Sequence, residues 1–273
     1  MEVNGRKIGI DQRPYVIAEL SANHGGSIER AKKSIYSAAL SGVDAIKIQT
    51  YTPDTMTIDS DKNDFQILSG LWKGHTLYQL YEKAFTPFEW HKEIFEYAAE
   101  LGVTLFSTPF DESALELLEG LKTPAYKIAS FELTDIPLIE NIARKNKPIF
   151  LSTGMGSLEE ISDAVEIIKK YNNSGLLLFH CISSYPAPVE QSNLSNLLVL
   201  KKEFDVDVGL SDHTLSNIAA TVAIGMGASA IEKHFKLDAD DCGPDSSFSL
   251  TPKSLVELVE CCNQSWLARG EGI

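Results

Sequence analysis

Eight short apolar, β-rich runs, each followed by a polar turn and an amphipathic helical stretch, leave this 273-residue chain few folds to choose from. The runs are YVIAEL (15–20), DAIKIQT (44–50), VTLFSTP (103–109), AYKIAS (125–130), PIFLST (148–153), LLLFHCI (176–182), VDVGLS (206–211) and SAIEKHF (229–235). Their near-continuous apolar character fits strands covered on both faces, as in a parallel sheet wrapped by helices. Eight strand–helix units close into a (β/α)8 barrel, which typically needs about 250 residues. One α/β domain, a TIM barrel over residues 1–273, is therefore expected. No GxGxxG follows the first run and no GxxxxGK[ST] occurs, so dinucleotide and P-loop readings of an open sheet lose support.

Helix starts are marked by residue type. Ser157 with Glu160 predicts a capping box ahead of EEISDAVEIIKKY. Thr86, Pro87 and Glu89 predict a capped start before WHKEIFEYAAELG, with Gly102 at its end, and Thr251–Pro252 repeats the device before SLVELVECC. The longest departure from the repeat, residues 51–86, follows the second strand. A loop of that length at the catalytic face of a barrel reads as a substrate lid.

Composition narrows the partners. No apolar stretch approaches the roughly 20 residues that span a bilayer, and MEVNGRKIGIDQRPYV has no signal-type apolar core. Cys181, Cys242, Cys261 and Cys262 show no CxxC spacing and read as reduced thiols of a cytoplasmic protein. A formal charge of −14 argues against nucleic acid or an anionic membrane as partner. A small anion is still permitted, because local cations can dominate a cleft.

Polar residues at the C-terminal tips of the runs are the candidate chemistry, since barrel enzymes work at that rim. Lys47 and Gln49 alternate with Ile46 and Ile48 and share one face; Lys127 lies in AYKIAS with Ser130 beyond it. A lysine between buried isoleucines needs a compensating anion. A structural ion pair or a snorkelling stem would explain one such lysine, whereas two on different strands favour an anion site. Ser107, Thr108, Ser152, Thr153 and Ser211 add hydroxyls at strand ends, each a helix cap if taken alone. In GLSDHT and EKHF, period two turns Ser211, His213, Glu232 and His234 inward and Asp212 and Lys233 away. Two imidazoles on adjacent strands, with oxygen ligands and water, suit a catalytic divalent ion. His24, His75, His91 and His180 lack such a constellation; His91 reads as a helix-surface residue and His180 as lining the barrel. Glu19 ends the first strand, where it could meet substrate or cap a helix. Asp245 in GPDSSFSL faces the same mouth, and Tyr185 in SYPAP is placed to close over a ligand or to form a plain turn.

IAELSANHGGS, KIQTYTPDT, STPFD, YKIAS, LSTGM, SYPAP, GLSDHT, EKHF and GPDSSFSL together resemble the motifs of the sialic acid synthase family, in order along nearly the whole chain. LWKGHTLYQLYEKAFTP and IAELSANH look more like its pseudaminic acid branch than its N-acetylneuraminate branch, which carries a sugar-contacting asparagine in the lid. The resemblance implies condensation of phosphoenolpyruvate with an acetamido-sugar, a 2,4-diacetamido-2,4,6-trideoxy-hexose in that branch, and water. The products would be a nonulosonic acid and phosphate, with C–O cleavage. It implies that Lys47, Thr108, Lys127, Ser130, Ser152 and Ser211 hold phosphoenolpyruvate and that His213 and His234 bind manganese or magnesium. Glu19, Tyr185, Glu232 and Asp245 would meet the sugar or the reacting water. The family usually continues into a small antifreeze-like domain that reaches across a homodimer, and this sequence stops at WLARGEGI. The alternatives are a legionaminate or N-acetylneuraminate synthase, a lysine-dependent aldolase using Lys47 or Lys127, a synthase taking a phosphorylated sugar, and a barrel that only binds ligand.

Overall fold

A computed structural model describes residues 1–238 and 243–270; Cys242 lies outside them. Eight parallel strands among the described residues close into a barrel. They are β1 Tyr15–Glu19, β2 Ala45–Thr50, β3 Thr104–Pro109, β4 Tyr126–Ile128, β5 Ile149–Ser152, β6 Leu176–Cys181, β7 Asp207–Asp212 and β8 Ala230–His234. Each pairs with its sequence neighbour, and β8 closes on β1 with His234 opposite Glu19. The eight apolar runs of the sequence all became strands, and the TIM-barrel expectation holds.

Among the described residues eight helices cover the outside: α1 Ile28–Leu40, α2 Phe88–Glu100, α3 Glu112–Gly120, α4 Ile136–Arg144, α5 Leu158–Tyr171, α6 Asn196–Phe204, α7 Ile218–Gly225 and α8 Pro252–Arg269. The Ser157–Glu160 capping box forms, and Thr251 accepts from the Ser254 amide with Pro252 in the first turn. The α2 start differs from expectation. Pro87 occupies the cap without a side-chain bond, while the Thr86 hydroxyl turns inward to His24 at 3.4 Å.

Strand period divides the core in two. Outward residues such as Ile46, Ile48, Ile128, Leu151 and Ile231 pack against the helices. Inward residues Tyr15, Ile17, Phe106, Phe150, Leu177 and Phe179 fill the barrel, and Val3 and Ile8 join them from the N-terminal hairpin of Glu2–Val3 with Arg6–Lys7. That hairpin seals the end of the barrel opposite the polar strand tips. Gly209 makes room for Phe179: a Cβ there would sit 2.6 Å from the Phe179 ring and 2.6 Å from the Ala230 carbonyl. The carbonyl belongs to a strand and cannot yield. Gly209→Ala should cost about 1–3 kcal/mol by overpacking, read as a lower urea midpoint at unchanged slope; an unchanged midpoint would mean the barrel repacks freely.

Candidate active site

The inward face ends in charge at the C-terminal tips. Lys47 on β2 and Lys127 on β4 reach the barrel axis, where Glu232 on β8 meets both. Lys47 Nζ and Lys127 Nζ each lie 3.4 Å from Glu232 Oε1, and Ser211 Oγ donates to the same oxygen at 3.0 Å. Lys47 Nζ is also 2.7 Å from Glu19 Oε2 and donates to Thr108 Oγ1 at 3.3 Å. All four charged side chains are at least 95% buried. This burial, with two cations facing two carboxylates, moves their proton affinities apart. Burial raises the Glu19 carboxyl more than Lys47 lowers it. Burial would raise Glu232 too, but Lys127 and Lys47 together hold it below the usual range. Lys127 is lowered by burial against the pull of Glu232, whereas the two carboxylates outweigh burial at Lys47 and raise it.

Several buried polar atoms around this cluster have no hydrogen-bond partner: Ser152 Oγ on β5, Ser183 Oγ beyond β6 and Glu232 Oε2. Stranding such atoms costs about 1–3 kcal/mol each unless something else bonds them. Ser130 Oγ accepts from the Gly154 amide at 3.1 Å, and a Cβ on Gly154 would come within 2.7 Å of Ser130 Oγ and 2.8 Å of Ser183 Oγ. The glycine therefore keeps a hydroxyl-lined hollow beside Lys127. Gln49 shares the inward parity of Lys47 and is half-buried.

His213 and His234 stand beside that hollow with ring centroids 5.3 Å apart. The Ile182 carbonyl can only accept, so the Nδ1 of His213, 3.0 Å away, carries the proton and its Nε2 keeps a free lone pair. Burial lowers the proton affinity of His213, but Cys181, 3.8 Å away, more than offsets this. His234 Nδ1 is buried without a hydrogen bond, 3.8 Å from Asp245 Oδ2. Burial first, and His213 next, keep that imidazole neutral. Asp245 accepts from Ser21 Oγ at 2.5 Å, and burial raises its carboxyl against this bond. Among the described residues no group of three His, Cys, Asp or Glu side chains has metal-holding geometry. The two histidines do fit a divalent ion as a partial set. Both are buried, one nitrogen is unpartnered, and the other ring is oriented by a carbonyl in the manner of a metal-bound imidazole.

Tyr185 forms the roof. Its ring packs on His213 at 4.5 Å, on Phe248 at 5.2 Å and on Trp72 at 5.8 Å between centroids. Trp72 comes from segment 51–86, and its indole Nε1 donates to the Pro244 carbonyl at 2.9 Å. The segment holds a helix, Leu77–Ala84, with a Thr76–Gln79 capping box, and it crosses the mouth from β2 to the loop after β8.

One neighbour of the site carries no signal in the sequence. Glu132, in the 3-10 turn Ser130–Glu132 after β4, has a buried carboxyl with Oε2 unpartnered. Burial pushes it up to about 7, with its own backbone bond and Lys127 opposing. The folded state thus holds this proton more tightly than the unfolded chain, whose carboxyl has an ordinary value of 4.5. The resulting stability is complete below pH 4.5 and is lost as pH rises through 7. Glu132→Gln should flatten that slope by up to about 3 kcal/mol, at 1.36 kcal/mol per pH unit, in urea titrations across the window; an unaltered slope refutes it.

Two histidine expectations are corrected. His91 is buried rather than on the helix surface, with Nε2 2.8 Å from Thr50 Oγ1 and Nδ1 3.0 Å from the Pro87 carbonyl. His180 does not line the barrel; β6 turns it outward, where its Nε2 meets the Ser192 carbonyl at 2.7 Å. Ser107 and Thr153 also face away from the axis, bonding the carbonyls of Ile48 and Phe179.

Residues 34–273 match the NeuB family. The chain is 47% identical to a pseudaminic acid synthase of Campylobacter jejuni over 96% of this chain and 76% of that protein. It is 36% identical to an N,N'-diacetyllegionaminic acid synthase of Legionella pneumophila, over 99% and 78% respectively. A crystal structure of an N-acetylneuraminic acid synthetase from Leptospira borgpetersenii, in complex with citrate, superposes with a TM-score of 0.90. It is 30% identical, with 100% of this chain and 90% of that one covered. Barrel and sequence agree, and the chain belongs to the NeuB family.

Proposed function

We propose that this protein condenses phosphoenolpyruvate with a 2,4-diacetamido-2,4,6-trideoxy-hexose and water, giving a nonulosonic acid of the pseudaminic type and phosphate. The observation that carries the reading is the pair of buried ammonium groups, Lys47 and Lys127, opening on the same mouth as His213 and His234, in a chain 47% identical to a pseudaminic acid synthase.

Lys47 and Lys127 neutralise the carboxylate and phosphate of phosphoenolpyruvate, and the hydroxyls of Thr108, Ser130, Ser152 and Ser211 take its oxygens. Ser152 Oγ, buried without a partner, is the donor that such an anion satisfies. Gln49 stands on the same face. His213 and His234 hold manganese or magnesium, which when bound supplies Lewis-acid polarisation of the open-chain sugar's aldehyde. The C2=C3 π pair of phosphoenolpyruvate forms the new bond from C3 to the aldehyde carbon as the aldehyde C=O π bond opens and its oxygen gains a proton. Water adds at the electron-deficient C2 and gives up its protons as the C–O bond breaks, phosphate leaving with that electron pair and a ketone remaining at C2. Glu19, Tyr185, Glu232 and Asp245 ring the space where sugar and water meet. Burial raises the Glu19 carboxyl against the pull of Lys47, while two ammonium groups keep Glu232 ionised. Tyr185 and Trp72 cover the reacting atoms and exclude bulk water.

The free thiols of Cys181, Cys261 and Cys262 and a soluble anionic substrate are in keeping with a cytoplasmic protein. Among the described residues no helix is long and apolar enough to cross a membrane.

Phosphate release from phosphoenolpyruvate, measured with the trideoxy-altrose, its epimers and N-acetylmannosamine, tests the assignment. The altrose sugar should give the highest kcat/KM; a preference for N-acetylmannosamine would overturn it. Trapping by borohydride with a carbonyl substrate would instead favour Schiff-base chemistry at Lys127, whose proton affinity is lowered. Trp72→Ala should raise the sugar KM about tenfold, the order of one lost aromatic contact, without moving the phosphoenolpyruvate KM. A parallel rise in both would place Trp72 in general folding of the mouth.

A further inference from the structure

The inward histidines have an outward counterpart. Asp212 lies between Ser211 and His213 on β7, and Lys233 between Glu232 and His234 on β8, so both point away from the barrel axis. There Lys233 Nζ is fully buried and donates to Asp212 Oδ2 at 2.6 Å, to the Thr214 carbonyl at 2.6 Å and to the Ser216 carbonyl at 3.1 Å. These three acceptors use all three ammonium protons. Asp212 Oδ1 accepts from the Thr214 amide at 2.8 Å. The backbone on both sides of His213 is therefore tied to the residue that precedes His234. The Ala187 amide donates to the His213 carbonyl at 3.0 Å and completes the hold.

A buried ion pair is poor evidence of stability, because apolar residues of similar volume often serve as well. Its directional bonds do fix geometry. We propose that Asp212 and Lys233 are positioning residues that set the separation and orientation of His213 and His234 for a divalent ion. This rests on the reading of those histidines as metal ligands. Neither residue touches the substrates or the ion. They act by locking the turn 212–216 onto β8 from behind.

The test uses the full chain stripped of metal and titrated with manganese by calorimetry, with phosphoenolpyruvate affinity and melting temperature measured alongside. The variants are Asp212→Asn/Lys233→Met, which removes both charges at nearly constant volume, and Asp212→Asn alone, which keeps the shape and two of the lysine's three acceptors. The double variant should bind manganese 10–100-fold more weakly, the usual effect of altering groups behind a ligand. Its phosphoenolpyruvate affinity should stay within twofold of the parent. The single variant should lose manganese affinity by a smaller factor, and it supplies the same comparison should the double not accumulate in soluble form. Unchanged manganese affinity in either soluble variant overturns the proposal, as does a parallel fall in both ligands, which would make the pair a general folding element. Failure of the parent protein itself to bind manganese would instead refute the metal reading.

Discussion

Replacing Lys47 by methionine is expected to weaken phosphoenolpyruvate binding at least 100-fold and to lower stability by about 3–5 kcal/mol. Both effects follow from its place between two carboxylates. Lys47 is 2.7 Å from Glu19 and 3.4 Å from Glu232. Among the described residues, Glu19 would then have no cation in contact, and Lys127 alone would face Glu232 at 3.4 Å. A hundredfold change is about 2.8 kcal/mol, at 1.4 kcal/mol per decade, which is the scale of one charge-assisted hydrogen bond to a buried anion. Calorimetric titration and urea unfolding read the two effects separately. Pairing the change with Glu19→Gln should recover part of the stability, since the stranded carboxylate is gone, but none of the binding. Binding within threefold of the parent would sink the anion-site reading. Recovery of binding in the double variant would do so too.

Removal of divalent ions should be as severe for turnover and mild for anion binding. Treatment with chelator is expected to cut phosphate release at least 1,000-fold, about 4 kcal/mol of barrier, with restoration by manganese or magnesium. Phosphoenolpyruvate should still bind, because the lysines and hydroxyls proposed to hold it come from elements other than the strand carrying His234. His234→Ala should lose the same turnover and resist restoration. The neutral state of His234, enforced by burial, suits a ligand that must offer a lone pair. A chelated enzyme that keeps more than a tenth of its rate would leave the histidines without their proposed role.

The barrel and much of its rim were legible in the chain because each rested on a strong period. Runs of six or seven largely apolar, β-rich residues marked the strands. In LSDH and IEKH the two-residue alternation separated the inward Ser211, His213, Glu232 and His234 from the outward Asp212 and Lys233. Where the period was absent, the reading stopped. The hairpin of Glu2–Val3 and Arg6–Lys7 has two residues per strand, too few to alternate, though Asn4–Gly5 between them is a turn signal. Glu132 lies in a 3-10 turn where neither helix nor strand spacing assigns a face. His91 is flanked by the polar Lys92 and Glu93, yet it shares a helical face with Ile94 and Ala98, which are buried. His180 was misplaced by one residue of parity: Phe179 and Cys181 point inward, so His180 cannot. The bond from Trp72 to Pro244 joins segments 172 residues apart, and no local pattern records it.

The sealed lower end has a kinetic meaning. With Val3 and Ile8 packed against Tyr15, Phe106 and Phe150, the barrel formed by the described residues is stoppered below, so the proposed substrates would share the upper rim as their way in and out, with Trp72 beside it.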